Sequence, residues 1–245
     1  MLRKPWFQSK LNKLSIFDPY YIEERSIYMG ITKCLPYFKG TCLDLGCGEQ
    51  PYRDLIKQNI SKYIGLDIRI DALKKNNEIN ISGNFFDLPF KDRGIDTVLS
   101  TQTLEMAPKP IDFLREVHRV LNIKGIFVLS AAQTWPVWSK LDYYRFTWRG
   151  LEYLLSESGF RVLKIHPRGG FWVMMSQMLN AYIHSTTAGA NQGNPILNLK
   201  RQIIDGFKKI LMIFIALIGP SFDVLDKKKF NSLNTLGYIV VAEKI

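Results

Sequence analysis

Thr41-Cys42-Leu43-Asp44-Leu45-Gly46-Cys47-Gly48-Glu49-Gln50-Pro51-Tyr52 runs an apolar strand directly into a glycine turn with an acid at its mouth. Gly46 and Gly48 tolerate positive φ and carry no side chain, so main-chain N–H groups there can approach a polar ligand closely. Pro51 suits the opening of a following helix. Glycine turns also follow strands that bind nothing, so the loop takes its meaning from what surrounds it.

Tyr63-Ile64-Gly65-Leu66-Asp67 reads as a second short strand. It ends in an acid about 20 residues beyond the glycines, the place from which a carboxylate accepts ribose hydroxyls. A dinucleotide fingerprint G-x-G-x-x-G would require glycine at position 51, where this chain has Pro51. Its strand would also lack Asp44, because a carboxylate repels pyrophosphate. An acid at the loop suits a cofactor with a cationic portion, and the ammonium and sulfonium of S-adenosylmethionine supply one.

Downstream segments extend the pattern. Asn84-Phe85-Phe86-Asp87-Leu88-Pro89-Phe90 brings Asp87 to a turn where a carboxylate or backbone amide can meet an adenine edge. Ile95 to Ser100 reads as a buried strand followed by Thr101-Gln102-Thr103-Leu104-Glu105-Met106. A helix from about Ile111 to Leu121, a turn at Asn122-Ile123-Lys124-Gly125 and a strand from Ile126 to Ala131 follow. Over Lys39 to Lys164, and again over Gly237 to Lys244, the sequence resembles the Rossmann-like (class I) S-adenosylmethionine-dependent methyltransferases, in particular the small bacterial group described as type 11.

That resemblance implies an α/β fold: a Rossmann-like seven-stranded sheet with helices on both faces, plus a helical insertion before the last strand. It also implies S-adenosylmethionine as cofactor. Asp44, Gly46 and Gly48 match the family's cofactor loop, Asp67 its ribose acid, Asp87 and Leu88 its adenine contacts, and Gln102 the residue beside the methionine moiety. Cys47 and Ile68 adjoin these and complete the expected cofactor set. The chain departs from the family in carrying Met106 where a histidine often follows the glutamate, and Lys124-Gly125 where a Gly-Gly turn is common. The first change removes a possible acid–base group.

The 245-residue chain, 47% hydrophobic, accommodates one catalytic α/β domain with additions. Cys34, Cys42 and Cys47 form no C-x-x-C pair and read as reduced packing residues of a cytoplasmic protein. No residue spacing suggests a metal site. The amino terminus lacks an apolar core and a small-residue cleavage site, which disfavours a signal peptide. The expected divisions are a basic amino-terminal segment and helix (1–38), the cofactor-binding core (39–168), an apolar helical insertion (169–236) and the last core strand (237–245).

A net charge of +11 raises polyanionic partners, either nucleic acid or an anionic bilayer surface. Arg3, Lys4, Lys10 and Lys13 interleave with Trp6, Phe7, Leu11 and Leu14. A second cationic set, Lys200, Arg201, Lys208 and Lys209, lies in the long connection between the sixth and seventh strands. There Ile196, Leu199, Ile203, Phe207, Ile210, Phe214 and Ile218 recur at helical spacing, opposite the cations and Asp205. The apolar run from Ile210 to Ile218 is far short of the ~20 residues that span a bilayer. It can lie in the interface, making the protein peripheral to the inner face of the cytoplasmic membrane, or it can pack as a soluble cap or dimer face.

Trp135 and the run Asp142-Tyr143-Tyr144-Arg145-Phe146-Thr147 follow the fifth strand, where the acceptor pocket's rim is expected. The family has a similar D-Y-Y-R-[YF]-T signature. Trp135, Tyr143, Tyr144 and Arg145 are the substrate-binding candidates, and Thr147 is positioned to cap the next helix. An oxygen acceptor must lose a proton, and the candidate bases are Asp142, Glu105 and His166. The favoured acceptor is small or amphipathic, such as a glycan or lipid-linked sugar. The alternatives are an RNA methyltransferase, favoured only by charge, and a non-catalytic S-adenosylmethionine-binding partner protein. No RNA-binding module or Asn-Pro-Pro-Tyr-type motif appears, so nucleic acid is disfavoured.

Overall fold

A computed structural model describes residues 18–68, 80–137, 139–185, 204–218, 221 and 233–245. Seven strands form one sheet: β1 (Thr41–Leu45), β2 (Lys62–Asp67), β3 (Asn80–Ser82), β4 (Ile95–Thr101), β5 (Leu121–Ala132), β6 (Phe160–Pro167) and β7 (Gly237–Lys244). Their order is β3-β2-β1-β4-β5-β7-β6. The pairs from β3 through β5 are parallel, and β7 runs antiparallel to both β5 and β6. This is the expected Rossmann-like sheet. Chain order reverses between β1 and β4, and ligands of open α/β sheets bind beyond the strand ends at such a point.

Alternation of side chains along the strands builds a separate core on each face. Leu43 and Leu45 of β1, Phe127 and Leu129 of β5, and Val240 of β7 join one cluster. The helices Pro110–Val120 and Trp148–Glu157 cover it with Phe113, Val117, Leu151 and Leu155. Cys42, Leu99, Val128 and Val241 point the other way, onto Ile27, Ile31 and Cys34 of the helix Tyr21–Cys34. All three cysteines are buried, and none forms a disulfide.

Local signals explain several boundaries. The Thr147 hydroxyl accepts the Gly150 amide at 3.1 Å and caps the helix Trp148–Glu157, as its position in the sequence suggests. The turn at Asn122–Gly125 is a bulge inside β5. Pairing jumps from Ile95–Leu121 to Thr97–Ile126, and Lys124 takes a positive φ of 58°. Pro51 lies in a turn, and only a single helical turn, Arg53–Ile56, follows it.

The chain divides into two units. One comprises Ile27–Arg168 and Gly237–Ile245 and contains the whole sheet. The other draws on Gly169–Leu236 and the segment ending at Ser26. Within it the helix Phe171–Ser185 is anchored by Gln177, which accepts the Glu23 amide and donates to the Pro19 carbonyl, both at 3.0 Å. Tyr20 adds an edge contact to His184 at 5.7 Å. Residues 204–218 form a further helix. Ile196, Leu199, Ile203, Lys200 and Arg201, with the basic amino-terminal segment, lie outside the described residues. Among the described residues no helix is long and apolar enough to cross a membrane.

Candidate cofactor and acceptor site

The glycine loop closes on the end of β2. The Leu66 carbonyl accepts the amides of Gly46 at 2.8 Å and Cys47 at 3.1 Å, and the Asp67 carboxylate accepts the Gly48 amide at 3.0 Å. These three N–H groups are therefore committed within the protein, whereas the sequence suggested that they approach the ligand. Their role is to fix the loop's shape and to orient Asp67. Gly46 has φ +79°, and a Cβ there would fall 2.2 Å from the Thr103 hydroxyl, so the turn admits only glycine.

Asp44 lies behind this loop and is 1% exposed. Tyr63 of β2 donates its phenolic hydrogen to Asp44 Oδ2 at 2.6 Å. Gly65, without a side chain, is the residue paired directly with Asp44 across the strands, and Tyr63 is paired with Cys42. Asp44 Oδ1 is buried with no hydrogen-bond partner among the described residues. Burial raises the Asp44 pKa to about 7; the Tyr63 hydroxyl opposes that rise, and the Asp67 charge adds to it. Asp44 is thus a buried acid behind the loop and not a surface group. Sequence reasoning missed Tyr63, whose only signal is its place on the strand adjacent to the acid.

Around the rest of the expected cofactor set the structure is mixed. Ile68, directly after Asp67, and Asp87 are exposed beyond the carboxyl end of β2 and in the loop after β3. Leu88 is buried, and its amide is taken by Glu116 at 2.7 Å while its carbonyl accepts from Arg119 at 3.0 Å, so its backbone anchors the loop. Gln102 adopts φ 52° at the end of β4 and donates to the Ser130 hydroxyl at 2.7 Å. Cys47 is buried, with its thiol toward the Gly48 carbonyl.

On the acceptor side, Arg145 and Asp142 have a different role from the one expected. The five guanidinium N–H groups are all engaged: Nε with the Trp135 carbonyl, Nη1 with Asp142 and the Tyr144 carbonyl, Nη2 with Asp142 and the Pro136 carbonyl. The Asp142 side chain is fully buried under this bidentate pair. Together they staple the loop after β5, with every guanidinium N–H and both Asp142 oxygens committed within the protein. Tyr144 likewise donates its hydroxyl to the Pro108 carbonyl at 3.0 Å, while the ring of Tyr143 remains exposed.

Glu105 differs from both other candidate bases. Its Oε1 accepts the Ala132 amide, and its Oε2 is buried without a partner among the described residues. Burial raises its pKa to about 7, against backbone hydrogen bonds and the charges of Arg168 and Arg145. His166 instead sits on the edge strand β6, four strands from β1, where burial and the charges of Lys33 and Lys164 lower its pKa. At ~4.8 Å per strand that is roughly 19 Å from the glycine loop, too far to act there.

Arg168, which sequence reasoning also missed, is buried at the end of β6. Its amide donates to the Gly237 carbonyl at 2.8 Å. A Cβ on Gly237 would fall 2.5 Å from its guanidinium and 2.2 Å from the Ala131 carbonyl, so this glycine makes room for the arginine. The motif Arg168-Gly169-Gly170 carries no periodicity that marks the arginine as buried.

The fold is that of the Rossmann-like, class I methyltransferases. Residues 43–129 match the family model described as a methyltransferase domain. Among curated relatives, a fatty-acid O-methyltransferase of Mycolicibacterium smegmatis is 30% identical over 100 residues, 37% of this chain and 36% of the relative. Squalene methyltransferase 1 of Botryococcus braunii is 32% identical over 98 residues, 35% of this chain and 26% of the relative. The chain thus spans about a third or less of the length of these relatives. A solved S-adenosylmethionine-dependent methyltransferase of Mesorhizobium loti shares the fold with a TM-score of 0.54 at 14% identity, covering 91% of this chain and all of that one.

Fold and family imply S-adenosylmethionine as the methyl donor. The residues present fit it. A buried carboxylate with an orphaned oxygen lies behind the loop, and a second carboxylate is oriented by the loop amide at the end of β2. Such a donor set favours a cationic ligand with ribose hydroxyls and disfavours a pyrophosphate.

Proposed function

We propose that this chain is an S-adenosylmethionine-dependent methyltransferase acting on a small or amphipathic acceptor, a glycan or lipid-linked sugar, as a peripheral enzyme at the inner face of the cytoplasmic membrane. The observation that carries the reading is the bond from the Gly48 amide to Asp67, which aims a buried acid from the end of β2 at the switch point. When bound, the cofactor supplies a methyl group already activated on a sulfonium. Asp67 would hold the ribose hydroxyls, and the exposed Ile68 and Asp87 would hold the adenine. Asp44 contributes negative potential to the cationic portion, and Gln102 lies beside the methionine moiety.

The protein's own contribution to rate is alignment of the acceptor and exclusion of water. The stapled loop from Trp135 to Arg145 gives the acceptor a rigid rim, with the Tyr143 and Tyr144 rings on it. Glu105 pairs an uncommitted carboxylate oxygen with a pKa of about 7, matched to taking a proton from an oxygen acceptor near neutrality. The names of the two curated relatives, one a fatty-acid and one a squalene methyltransferase, support an apolar component in the acceptor.

The test is incubation with methyl-labelled S-adenosylmethionine and an extract separated into lipid, sugar and RNA fractions. Label in the lipid-linked or sugar fraction is the expected result. Label in RNA alone would replace the acceptor class, and cofactor binding without transfer to any fraction would make the chain a binding protein.

A further inference from the structure

The helix Phe171–Ser185 turns an apolar face outward. Its polar residues Gln177 and Asn180 are buried together with Val173 and Ile183, while Phe171, Trp172, Met175, Leu179 and Tyr182 are exposed. At 100° per residue the five exposed side chains fall within about 100° of the helix circumference, and none carries a charge. Gln177 fixes this rotation through its two bonds, to the Glu23 amide and the Pro19 carbonyl. The outward face is therefore set by the structure and is not a free rotation of an isolated helix.

A second helix of the same unit also presents an apolar face outward. In residues 204–218, Met212 and Ala216 are buried, and Ile204, Phe207, Ile210, Leu211, Phe214 and Leu217 are exposed over about 140° of arc. Exposure reaches 68% for Phe207 and 59% for Phe214, against 67% for Tyr182 and 46% for Trp172 on the first helix. Single exposed apolar residues are ordinary, but two all-apolar helical faces in one unit mark a surface that something covers.

Charge decides what covers it. Residues 169–236 carry seven Lys or Arg, three Asp and no Glu, and the whole chain has a net charge of +11. Lys208 and Lys209 sit between Phe207 and Ile210 in sequence, so cations border the second apolar face. Two copies of such a surface would oppose like charges, whereas an anionic bilayer complements it. Trp172 and Tyr182 on the first helix, and lysines beside the apolar face of the second, are residue types that settle at a lipid headgroup boundary. We infer that the exposed apolar faces of Phe171–Ser185 and 204–218 dock onto an anionic lipid bilayer, with the helices lying in its interface. This deepens the reading of a peripheral enzyme but does not depend on methyl transfer.

The experiment is co-sedimentation of the full chain with vesicles of phosphatidylcholine alone and with added phosphatidylglycerol. Two variants are compared, Trp172→Glu/Leu179→Glu and Phe207→Glu/Phe214→Glu, each checked by circular dichroism and by calorimetric binding of S-adenosylmethionine. Wild type should bind the phosphatidylglycerol vesicles at least tenfold more strongly than the neutral ones, and keep part of that binding at high salt. Each variant should lose at least tenfold while its circular dichroism is unchanged. Wild type remaining in the supernatant with anionic vesicles at low salt overturns the inference, as does binding that both variants retain. A dimer in solution that each variant converts to monomer would assign the surface to a second copy. Cofactor binding is read separately, so failure here leaves the methyltransferase reading standing, and loss of cofactor binding in wild type leaves this inference standing.

Discussion

Tyr63 and Asp44, on adjacent parallel strands, share a 2.6 Å hydrogen bond in which the phenol donates to a carboxylate that is 1% exposed. This bond is the principal stabiliser of the charged form of an acid that burial otherwise drives toward neutrality. Tyr63→Phe should push the Asp44 pKa further above 7 and cost about 1 to 3 kcal/mol, the range for leaving a buried acceptor unpaired. Denaturant unfolding of both proteins at pH 7 measures it; equal midpoints would show that the bond contributes nothing.

The raised acids give a pH dependence with a definite sign. Asp44 titrates near 3.8 when unfolded and at about 7 when folded, so between those values the native state holds more protons. Its stabilising contribution is fully present below about 4 and is lost as pH rises through about 7. Glu105, displaced from 4.5 to about 7, acts in the same direction. Asp44→Asn should flatten the decline between pH 4 and 7 by up to ~1.4 kcal/mol per pH unit. Above pH 7 it should be the more stable protein, though a poorer binder of a cationic cofactor. Thermal unfolding across pH 4.5–8.5 tests this, and parallel profiles for the two proteins would remove Asp44 as the titrating group.

Two glycines should respond oppositely to the same substitution. Gly46→Ala forces a side chain onto Thr103 at positive φ and should cost at least ~1 to 3 kcal/mol along with cofactor binding. Gly206, within the helix 204–218, has nothing within 4 Å of a built Cβ, and Gly206→Ala should stabilise by about 0.5 to 1 kcal/mol. Chemical denaturation of the two variants reads both, and a stabilised Gly46→Ala would contradict the loop geometry.

Arg145→Lys preserves charge but cannot reproduce five planar donors. It should loosen the segment from Trp135 to Arg145, seen as faster amide exchange there, and leave S-adenosylmethionine affinity within about twofold. Unchanged exchange would show that the staple is dispensable.

Much of the cofactor half was legible because it is written locally. Strand–Gly46–Gly48 and the strand ending in Asp67 are each contiguous, and the apolar runs of β1, β4, β5 and β7 supply alternate residues to the two cores. Interactions that join distant segments were not. Tyr63 to Asp44, Glu116 to Leu88 and Arg168 beside Gly237 depend on strand neighbours and helix placement. The same non-locality explains Asp142 and Arg145. A polar pair after a strand reads as reactive until the carbonyls of Trp135 and Pro136 are seen to take up the guanidinium. In Phe171–Ser185 the outward direction of the apolar face is set by Gln177 reaching Pro19, about 160 residues away, which periodicity cannot show.

The most direct test of the central claim is calorimetric titration of S-adenosylmethionine into wild type and Asp67→Ala, with unfolding measured for both. Saturable one-site binding to wild type is predicted. Loss of the charge-assisted bonds to ribose should weaken the variant by about 1.5 to 3 kcal/mol, roughly ten- to a hundredfold in affinity. A folded wild type that does not bind, or a folded Asp67→Ala that binds equally well, would contradict the account.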